Sequence, residues 1–335
     1  MTAPQTAPVR IGALGTSSIA WRRVLPTAVG TPGVDLVAVA GRDTAKTARF
    51  AEHFGCGATG FDALLERDDI EGVYISLPTA LHHRWAAKAL RAGKHVLVEK
   101  PIGVNAAEAA DLAAIAEAGG LVLRENFMFL HHPQHTFVKD LAAKGRLGRV
   151  NALSADFCIP PLPAEDIRYD AAMGGGALLD VGVYPLRAAR LLLGGGLRVA
   201  GATLRVRPDG LDLSGKALLV TPDGVLADVA FGFENSYTSA YTLRGDRARV
   251  SVNRAFTPPP AHPTTVVLEE QDHEEHFTLP ASDQLRSSVA GFAAAIRSGA
   301  AADEQEAVWR QEAVASMELV DAVREKAVLV PVNGE

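Results

Sequence analysis

The feature that most constrains this chain is a short strand running into a glycine turn, followed by a regular alternation of strands and helices. Val9-Arg10-Ile11-Gly12-Ala13-Leu14 reads as a buried strand, and Gly15-Thr16-Ser17-Ser18-Ile19-Ala20 as the turn before a helix. The template for such a turn is G-x-G-x-x-G/A. Here Ser17 stands at the second glycine and Ala20 at the third. A serine still lets a pyrophosphate come close, and its hydroxyl can donate to it. Alanine keeps the helix near the strand. Alone, the motif does not separate a dinucleotide site from a plain strand-turn-helix.

The stretches that follow separate them. Val34 to Ala40 is a second strand, ending in Gly41-Arg42-Asp43-Thr44, and a helix follows through Lys46 to Phe54. A strand over 72–77 is broken by Pro78, and a helix over 81–92 is closed by Gly93. His95-Val96-Leu97-Val98 is the next strand, and it runs into Glu99-Lys100-Pro101. A helix over 106–118 is closed by Gly119-Gly120, and Leu121-Val122-Leu123 reads as a further strand. Strands alternating with helices give right-handed crossovers and a parallel sheet. Lys100 thus falls at the carboxyl end of a parallel strand, where open α/β sheets bind ligands. Pro101 keeps Lys100 extended and stops the strand.

The chain of 335 residues, 48% hydrophobic and 21% charged, is long enough for two domains with separate cores. Its formal net charge of −6 argues against a nucleic-acid partner, which needs a basic surface. No apolar run is long enough to cross a bilayer, so no membrane partner is expected. Residues 1–8 lack the charged and apolar regions of a signal peptide and read as a disordered tail. Two cysteines far apart, Cys56 and Cys158, give neither a disulfide framework nor a thiolate metal cluster, and read as small buried hydrophobes. A cytoplasmic protein is the expectation.

The second half begins at Glu125-Asn126-Phe127-Met128-Phe129-Leu130-His131-His132-Pro133-Gln134. His131 and His135 are four apart, but Pro133 interrupts and no acid is spaced to complete a metal site, so a polar pocket wall is the expectation. A helix over 136–144 precedes an alternating strand over 149–157. Gly174-Gly175-Gly176 leads into a helix that carries Asp180 and Tyr184, four apart and on one face. Pro185 in that helix implies a kink, or a helix that starts only about there. The glycines would let backbone approach a cofactor. Strands are expected over 198–206, 212–220, 224–233, 236–244, 249–252 and 265–268. A solvated acidic hairpin spans 269–275, and amphipathic helices cover 283–297 and 304–326.

In order, the glycine turn, Val98-Glu99-Lys100-Pro101 and Gly174-Gly175-Gly176-Ala177-Leu178-Leu179-Asp180-Val181-Gly182-Val183-Tyr184-Pro185 resemble the Gfo/Idh/MocA family of NAD(P)-dependent oxidoreductases, over nearly the whole chain. The resemblance implies an α/β fold: a Rossmann dinucleotide-binding domain over 1–125, then an α+β domain over 126–335 with a large open, mostly antiparallel sheet. That second domain would bind substrate and oligomerise, with the last helices able to pack back on the first. The resemblance also implies cofactor contacts at Gly15, Thr16, Ser17, Ser18, Ile19, Gly41, Arg42, Lys46, Ser76, Leu77, Pro78, Thr79, His82, Glu99, Lys100 and Arg168. His82 and His83 begin a helix, and taken by themselves read as neutral surface histidines. Where the family tends to have an arginine, this chain has Leu130.

An acid at the end of the second strand usually holds the ribose of NAD. Gly41 occupies the first such position, and Arg42 can pair with a 2′-phosphate, with Lys46 as a second cation. Asp43 has two readings: a ribose acid displaced by two positions, or the cap of the following helix. NADP(H) is therefore the expected cofactor.

By the same resemblance Tyr184 is the proton donor, Lys100 stabilises the developing oxyanion or holds the nicotinamide ribose, and Asp180 orients Lys100 or the substrate. The run Glu125-Asn126-Phe127-Met128-Phe129 with its double histidine looks closest to the TDP-sugar 3-ketoreductases of deoxysugar (antibiotic sugar) biosynthesis. That implies NADPH-dependent reduction of the C-3 ketone of a TDP-linked sugar. Substrate contacts are expected among His131, Gln134, Tyr237, Tyr241 and Arg254. The alternative within the family is an NADP-dependent aldose or dihydrodiol dehydrogenase. A homo-oligomer, dimer or tetramer, is expected.

Overall fold

The computed structural model describes residues 7–332, which divide into two compact units. The first unit runs up to Phe127 and takes in Leu285–Ala315; the second holds Met128–Gln284 and the chain from Ser316 onward. Of the tail expected at 1–8, residues 1–6 lie outside the described residues. Ala7 and Pro8 are tied down, because Arg297 donates to both carbonyls, at 2.8 and 2.6 Å.

The first unit is built on a parallel sheet of β1 (Val9–Leu14), β2 (Val34–Ala40), β3 (Gly57–Thr59), β4 (Gly72–Ile75), β5 (His95–Val98) and β6 (Leu123–Glu125). The strand order is β3-β2-β1-β4-β5-β6, and all its pairings are parallel. The order reverses at β1, which pairs with β2 on one side and β4 on the other, so the crevice for a ligand opens beyond the carboxyl ends of β1 and β4. Helices Thr44–Phe54, His82–Arg91 and Ala106–Ala118 supply the crossovers. With helices covering its faces, the sheet has continuous buried runs; Val73, Ile75, Val96 and Val98 are wholly enclosed.

Three local features of this unit differ from the sequence reading. Pairing of the last strand starts at Leu123 rather than Leu121, because the chain leaves the Gly119-Gly120 turn before it reaches the sheet; Val122 accepts from Val96 N at 2.8 Å but donates its own N–H to His95 Nδ1 at 2.9 Å, a side chain rather than a strand. The helix after the glycine turn opens as a π-helix, Ala20–Val24, before becoming α-helical over Leu25–Val29. β3 and the helix Phe61–Leu65 escaped the sequence reading because three and five residues carry no readable period.

The second unit is a nine-stranded mixed sheet. Its strands are β7 (Val150–Cys158), β8 (Arg198–Val206), β9 (Asp212–Val220), β10 (Leu226–Gly232), β11 (Thr238–Gly245), β12 (Arg249–Asn253), β13 (Thr264–Glu269), β14 (Glu274–Leu279) and β15 (Ala327–Pro331). The order is β14-β13-β12-β11-β7-β10-β9-β8-β15; β7 with β10 and β8 with β15 are parallel, the other pairs antiparallel. Along β7, Leu153, Ala155 and Phe157 are buried while Ser154, Asp156 and Cys158 are half-exposed, the alternation of a sheet with one packed face. Helix Val183–Leu193 packs on that face, against β7 and β10.

The helix expected over 136–144 spans Pro133–Ala143. Pro133 does not interrupt it but opens it, where a missing N–H costs nothing, and the His132 ring caps it by accepting from Gln134 N at 3.3 Å. Pro185 sits just past a change of helix type. Leu178–Gly182 is π-helical and Val183–Leu193 α-helical, so the carbonyl that Pro185 would leave unbonded lies in the wider turn. Cys56 and Cys158 are half-buried rather than enclosed, and partial burial raises both thiol pKa values. The acidic hairpin stands as expected between β13 and β14, with residues 270–274 exposed.

Candidate active site

Gly15, directly after β1, has φ +109° and donates its N–H to Ala40 O at 2.9 Å, which carries the chain across the top of the sheet. A Cβ there would lie 2.9 Å from Ser76 O, so only glycine keeps the ends of β1 and β4 this close. Ser17 Oγ accepts from Ala20 N at 3.1 Å, holding the first turn of the helix and leaving its own proton to be donated. Ser18 and Ile19 are exposed at the helix start, and Thr16 is half-exposed.

At the end of β2, Asp43 accepts from Lys46 N at 2.9 Å and so caps helix Thr44–Phe54. The cap engages Oδ1 of the carboxylate with the backbone. Arg42 and Lys46 are exposed, and neither side chain has a hydrogen-bond or ion-pair partner among the described residues. Gly41 lies tight against the glycine turn, since a Cβ there would meet Thr47 Oγ1 at 2.4 Å and Thr16 Cγ2 at 3.0 Å. The two cations therefore stand beside the turn.

After β4, Ser76 is buried and donates from Oγ to Gly15 O at 3.4 Å, while Leu77, Pro78 and Thr79 are half-exposed. His82 is not the surface histidine its sequence suggests. It is 1% exposed, with Nδ1 2.7 Å from Pro101 O and Nε2 2.8 Å from Leu77 O. Burial lowers its pKa, against the pull of the two carbonyls. His83 is the surface residue of the pair, facing Asp111 at 2.8 Å.

Lys100 is half-buried at the end of β5, and its peptide bond to Pro101 is cis. Glu99 beside it turns inward: its Oε1 accepts from Tyr74 OH at 2.9 Å and from Asn126 Nδ2 at 2.7 Å. Burial raises the Glu99 pKa, and the hydrogen bonds from Asn126 and Tyr74 and the Lys100 cation act against it. Glu99 thus braces the strand end through its side chain. Asn126 is itself fixed by Ser288 Oγ at 2.8 Å.

In the second unit, Tyr184 is 6% exposed, with its ring among Phe157 (centroids 4.9 Å), Phe256 (5.6 Å) and Phe129 (5.8 Å). Asp180, one turn earlier, accepts from Arg168 Nε at 2.6 Å, and Arg168 also reaches Asp166 at 3.2 Å. The Asp180 charge is the main reason that the Arg168 pKa is raised. Arg168, expected at the cofactor, is committed to these two carboxylates. The glycine run packs closely against protein. A Cβ on Gly175 would meet Arg168 O at 2.5 Å, and one on Gly176 would meet Asp212 Oδ1 at 2.4 Å. Asp212 in turn accepts from Leu178 N at 2.6 Å and anchors the π-helix.

The expected substrate contacts fall into two groups. Gln134 is wholly enclosed and donates to Ala255 O at 3.0 Å; Tyr241 is 2% exposed, with its hydroxyl 3.0 Å from His135 Nδ1. Both lie inside the unit and hold it together. Tyr237 and Arg254 are exposed, with the guanidinium 5.3 Å from the ring centroid, and His131 is half-exposed. His135 also meets Ala255 O at 3.1 Å, and among the described residues no group of three or more His, Cys, Asp or Glu could hold a metal ion.

The family model described as "Oxidoreductase family, NAD-binding Rossmann fold" matches residues 9–127, and that of the "GFO/IDH/MocA C-terminal domain" matches residues 135–251. The chain belongs to the Gfo/Idh/MocA family. It is 48% identical over 319 residues to a dTDP-3,4-didehydro-2,6-dideoxy-alpha-D-glucose 3-reductase of Actinomadura kijaniata, covering 95% of each chain. It is 49% identical over 337 residues to a protein of the same name from Streptomyces violaceoruber, covering 97% of each. The crystal structure of KijD10, a 3-ketoreductase from Actinomadura kijaniata in complex with NADP and TDP-benzene, superposes with a TM-score of 0.94 at 47% identity, covering 97% of this chain and all of that one.

As a Gfo/Idh/MocA oxidoreductase, the chain has a first unit whose residues fit a dinucleotide. The glycine cradle at Gly15, the exposed helix start at Ser18 and Ile19, and the unpartnered Arg42 and Lys46 match a pyrophosphate and a 2′-phosphate in position and charge. Sequence reasoning missed the braces: Tyr74 and Asn126 on Glu99, Asp212 on the π-helix, and the three phenylalanines around Tyr184. These partners come from distant segments, and no local spacing announces them.

Proposed function

We propose that this chain is an NADPH-dependent ketoreductase that reduces the C-3 ketone of a TDP-linked 3,4-diketo-2,6-dideoxyhexose. The observation that carries this reading is the 48% identity, over 95% of each chain, with the dTDP-sugar 3-reductase. Lys100, Asp180 and Tyr184 in this sequence support an active enzyme rather than a silent nucleotide sensor, which needs no proton donor.

NADPH, when bound, supplies the hydride. Gly15, Thr16, Ser17, Ser18 and Ile19 receive the pyrophosphate, Arg42 and Lys46 the 2′-phosphate, and the 76–79 loop the nicotinamide side. Lys100 positions the nicotinamide ribose and stabilises negative charge on the substrate oxygen. Tyr184 gives its hydroxyl proton to that oxygen, so the ketone leaves as a secondary alcohol. The aromatic cage excludes water from the Tyr184 ring, and Asp180 with Arg168 fixes the turn that precedes it. The substrate is a nucleotide-linked sugar, the protein works in the cytoplasm where NADPH is available, and it assembles as a homo-oligomer. Val328, Leu329 and Val330, 67, 59 and 41% exposed on edge strand β15, support an assembled form.

Incubating the protein with NADPH and the TDP-linked diketo sugar tests the reading. Loss of NADPH absorbance, with a product bearing a new C-3 hydroxyl, is the expected result. Oxidation of a free aldose or dihydrodiol by NADP⁺, with no turnover of the TDP-sugar, would replace this reading with a sugar or diol dehydrogenase.

A further inference from the structure

Arg254 is the one non-glycine residue with positive φ among the described residues, at +57°. L-residues enter the left-handed region at a cost and stay there only when their surroundings fix them. The surroundings here are a set of hydrogen bonds on the next two residues. Ala255 N donates to Ser239 O at 2.8 Å, and Ala255 O accepts from Gln134 Nε2 at 3.0 Å and meets His135 Nε2 at 3.1 Å. Phe256 N donates to Ser239 Oγ at 3.0 Å, and Phe256 O accepts from Gln284 Nε2 at 3.1 Å. Gln134, His135, Ser239 and Gln284 are all buried. Five bonds from a buried polar group therefore fix the backbone of an exposed arginine.

The side chain so presented has no hydrogen-bond or ion-pair partner among the described residues. It lies over the ring of Tyr237, 5.3 Å from the centroid, and Tyr237 is 42% exposed. The Tyr237 hydroxyl meets Thr257 Oγ1 at 2.9 Å, which stops the ring from turning away. Two ring contacts lead from there to the proposed proton donor: Tyr237 to Phe157 at 6.3 Å, and Phe157 to Tyr184 at 4.9 Å. A strained backbone, an unpaired guanidinium and a fixed exposed aromatic ring thus stand on the Tyr184 side of the second unit.

We propose that Arg254 and Tyr237 form the nucleoside-diphosphate subsite of the substrate, with Gln134 and His135 as positioning residues that act through the Arg254 backbone. Resting on the sugar-nucleotide reading above, the proposal names where the nucleotide is held. The planar guanidinium takes the diphosphate through paired N–H donors. The Tyr237 ring is the wall for the base, because an aromatic face stacks on any pyrimidine. Remote binding of this kind holds the sugar's reacting carbon in place.

Calorimetric titration of the NADP-bound protein with TDP tests it, alongside the unaltered protein. Arg254→Ala and Arg254→Gly should each weaken TDP binding about tenfold or more while NADPH affinity and the thermal midpoint hold. Arg254→Gly keeps the left-handed backbone, so its loss reads the guanidinium alone. Arg254→Lys should restore part of the affinity, since a point charge replaces a fork. Tyr237→Ala should weaken TDP and leave inorganic pyrophosphate inhibition unchanged. Gln134→Met should weaken TDP in the unaltered background and have no further effect in Arg254→Gly; a merely structural role would weaken both alike and overturn the positioning assignment. TDP binding by the unaltered protein that Arg254→Ala preserves within about twofold overturns the subsite alone. No TDP binding by the unaltered protein overturns the subsite and the sugar-nucleotide reading together.

Discussion

His82 and Pro101 are joined at 2.7 Å, ring nitrogen to carbonyl oxygen, and through that bond the loop after β4 is fastened to the residue that follows Lys100. The same ring meets Leu77 O at 2.8 Å. One buried side chain therefore fixes two loops that the sequence separates by 19 positions from His82 to Pro101. Its consequence for function is placement: Lys100 can be aimed only if the backbone around it is held.

Replacing His82 by leucine removes the one N–H donor that the neutral ring offers to these carbonyls. A lost partner of this kind costs about 1–3 kcal/mol. The variant should unfold at a lower temperature and lose turnover in excess of what its folded fraction explains. His82→Gln, which keeps a donor, should recover part of both. Differential scanning calorimetry with steady-state kinetics reads the two quantities. A His82→Leu protein with unchanged stability and turnover would remove the clamp from the account.

In the proposed reading, Arg42 selects the cofactor. Its exposed guanidinium follows β2 with no ion-pair partner among the described residues, and Asp43 caps the next helix. Arg42→Ala should weaken NADPH about tenfold or more, the worth of a charge-assisted hydrogen bond, and leave NADH nearly unchanged. Fluorescence titration with both cofactors decides it. Equal losses for the two would move the 2′-phosphate elsewhere.

Tyr184→Phe should lower kcat by about 10²–10⁴, the usual span for general acid catalysis, with little change in NADPH affinity. Lys100→Ala should be as damaging or worse, since one cation serves both ribose positioning and charge stabilisation. Stopped-flow hydride transfer separates the chemistry from product release. Wild-type turnover by Tyr184→Phe would assign the proton to water or Lys100.

Most of the first unit was legible because its strands and crossover helices each carry a period and a stop: Pro78 after β4, Gly93 after the second crossover helix, Gly119-Gly120 after the third. The catalytic candidates were legible because each falls on a local motif. The aromatic cage of Tyr184 was not. Phe129, Phe157 and Phe256 come from a 3₁₀ turn, the centre of a sheet and a loop, and only tertiary packing assembles them. The glycine run was only partly legible for a related reason. A sequence shows that backbone can approach something at Gly175 and Gly176, but not that the something is Arg168 O and Asp212. Likewise His82 taken by itself read as polar surface, because nothing local says that a buried carbonyl waits for it.

Burial fixes the charge state of His135 and ties stability to pH. Its pKa is lowered to about 3 by enclosure first, then by His132 beside it, against the pull of Ala255 O. Below the ordinary histidine value of about 6.5 the unfolded chain takes up a proton that the folded chain refuses. This contribution to stability is therefore complete above about pH 6.5 and lost as the pH falls toward 3, at up to about 1.4 kcal/mol per pH unit. Asp156 and Asp212 act in the opposite sense, since burial raises their carboxyl pKa values and the folded chain binds those protons more readily. The difference between the unaltered protein and His135→Phe isolates the histidine. Urea unfolding from pH 8 to pH 4 should show that difference constant above about pH 6.5 and shrinking in favour of the variant below it. A difference that stays constant across the whole range would mean that His135 titrates alike in both states, and that the group holding Arg254 is open to water.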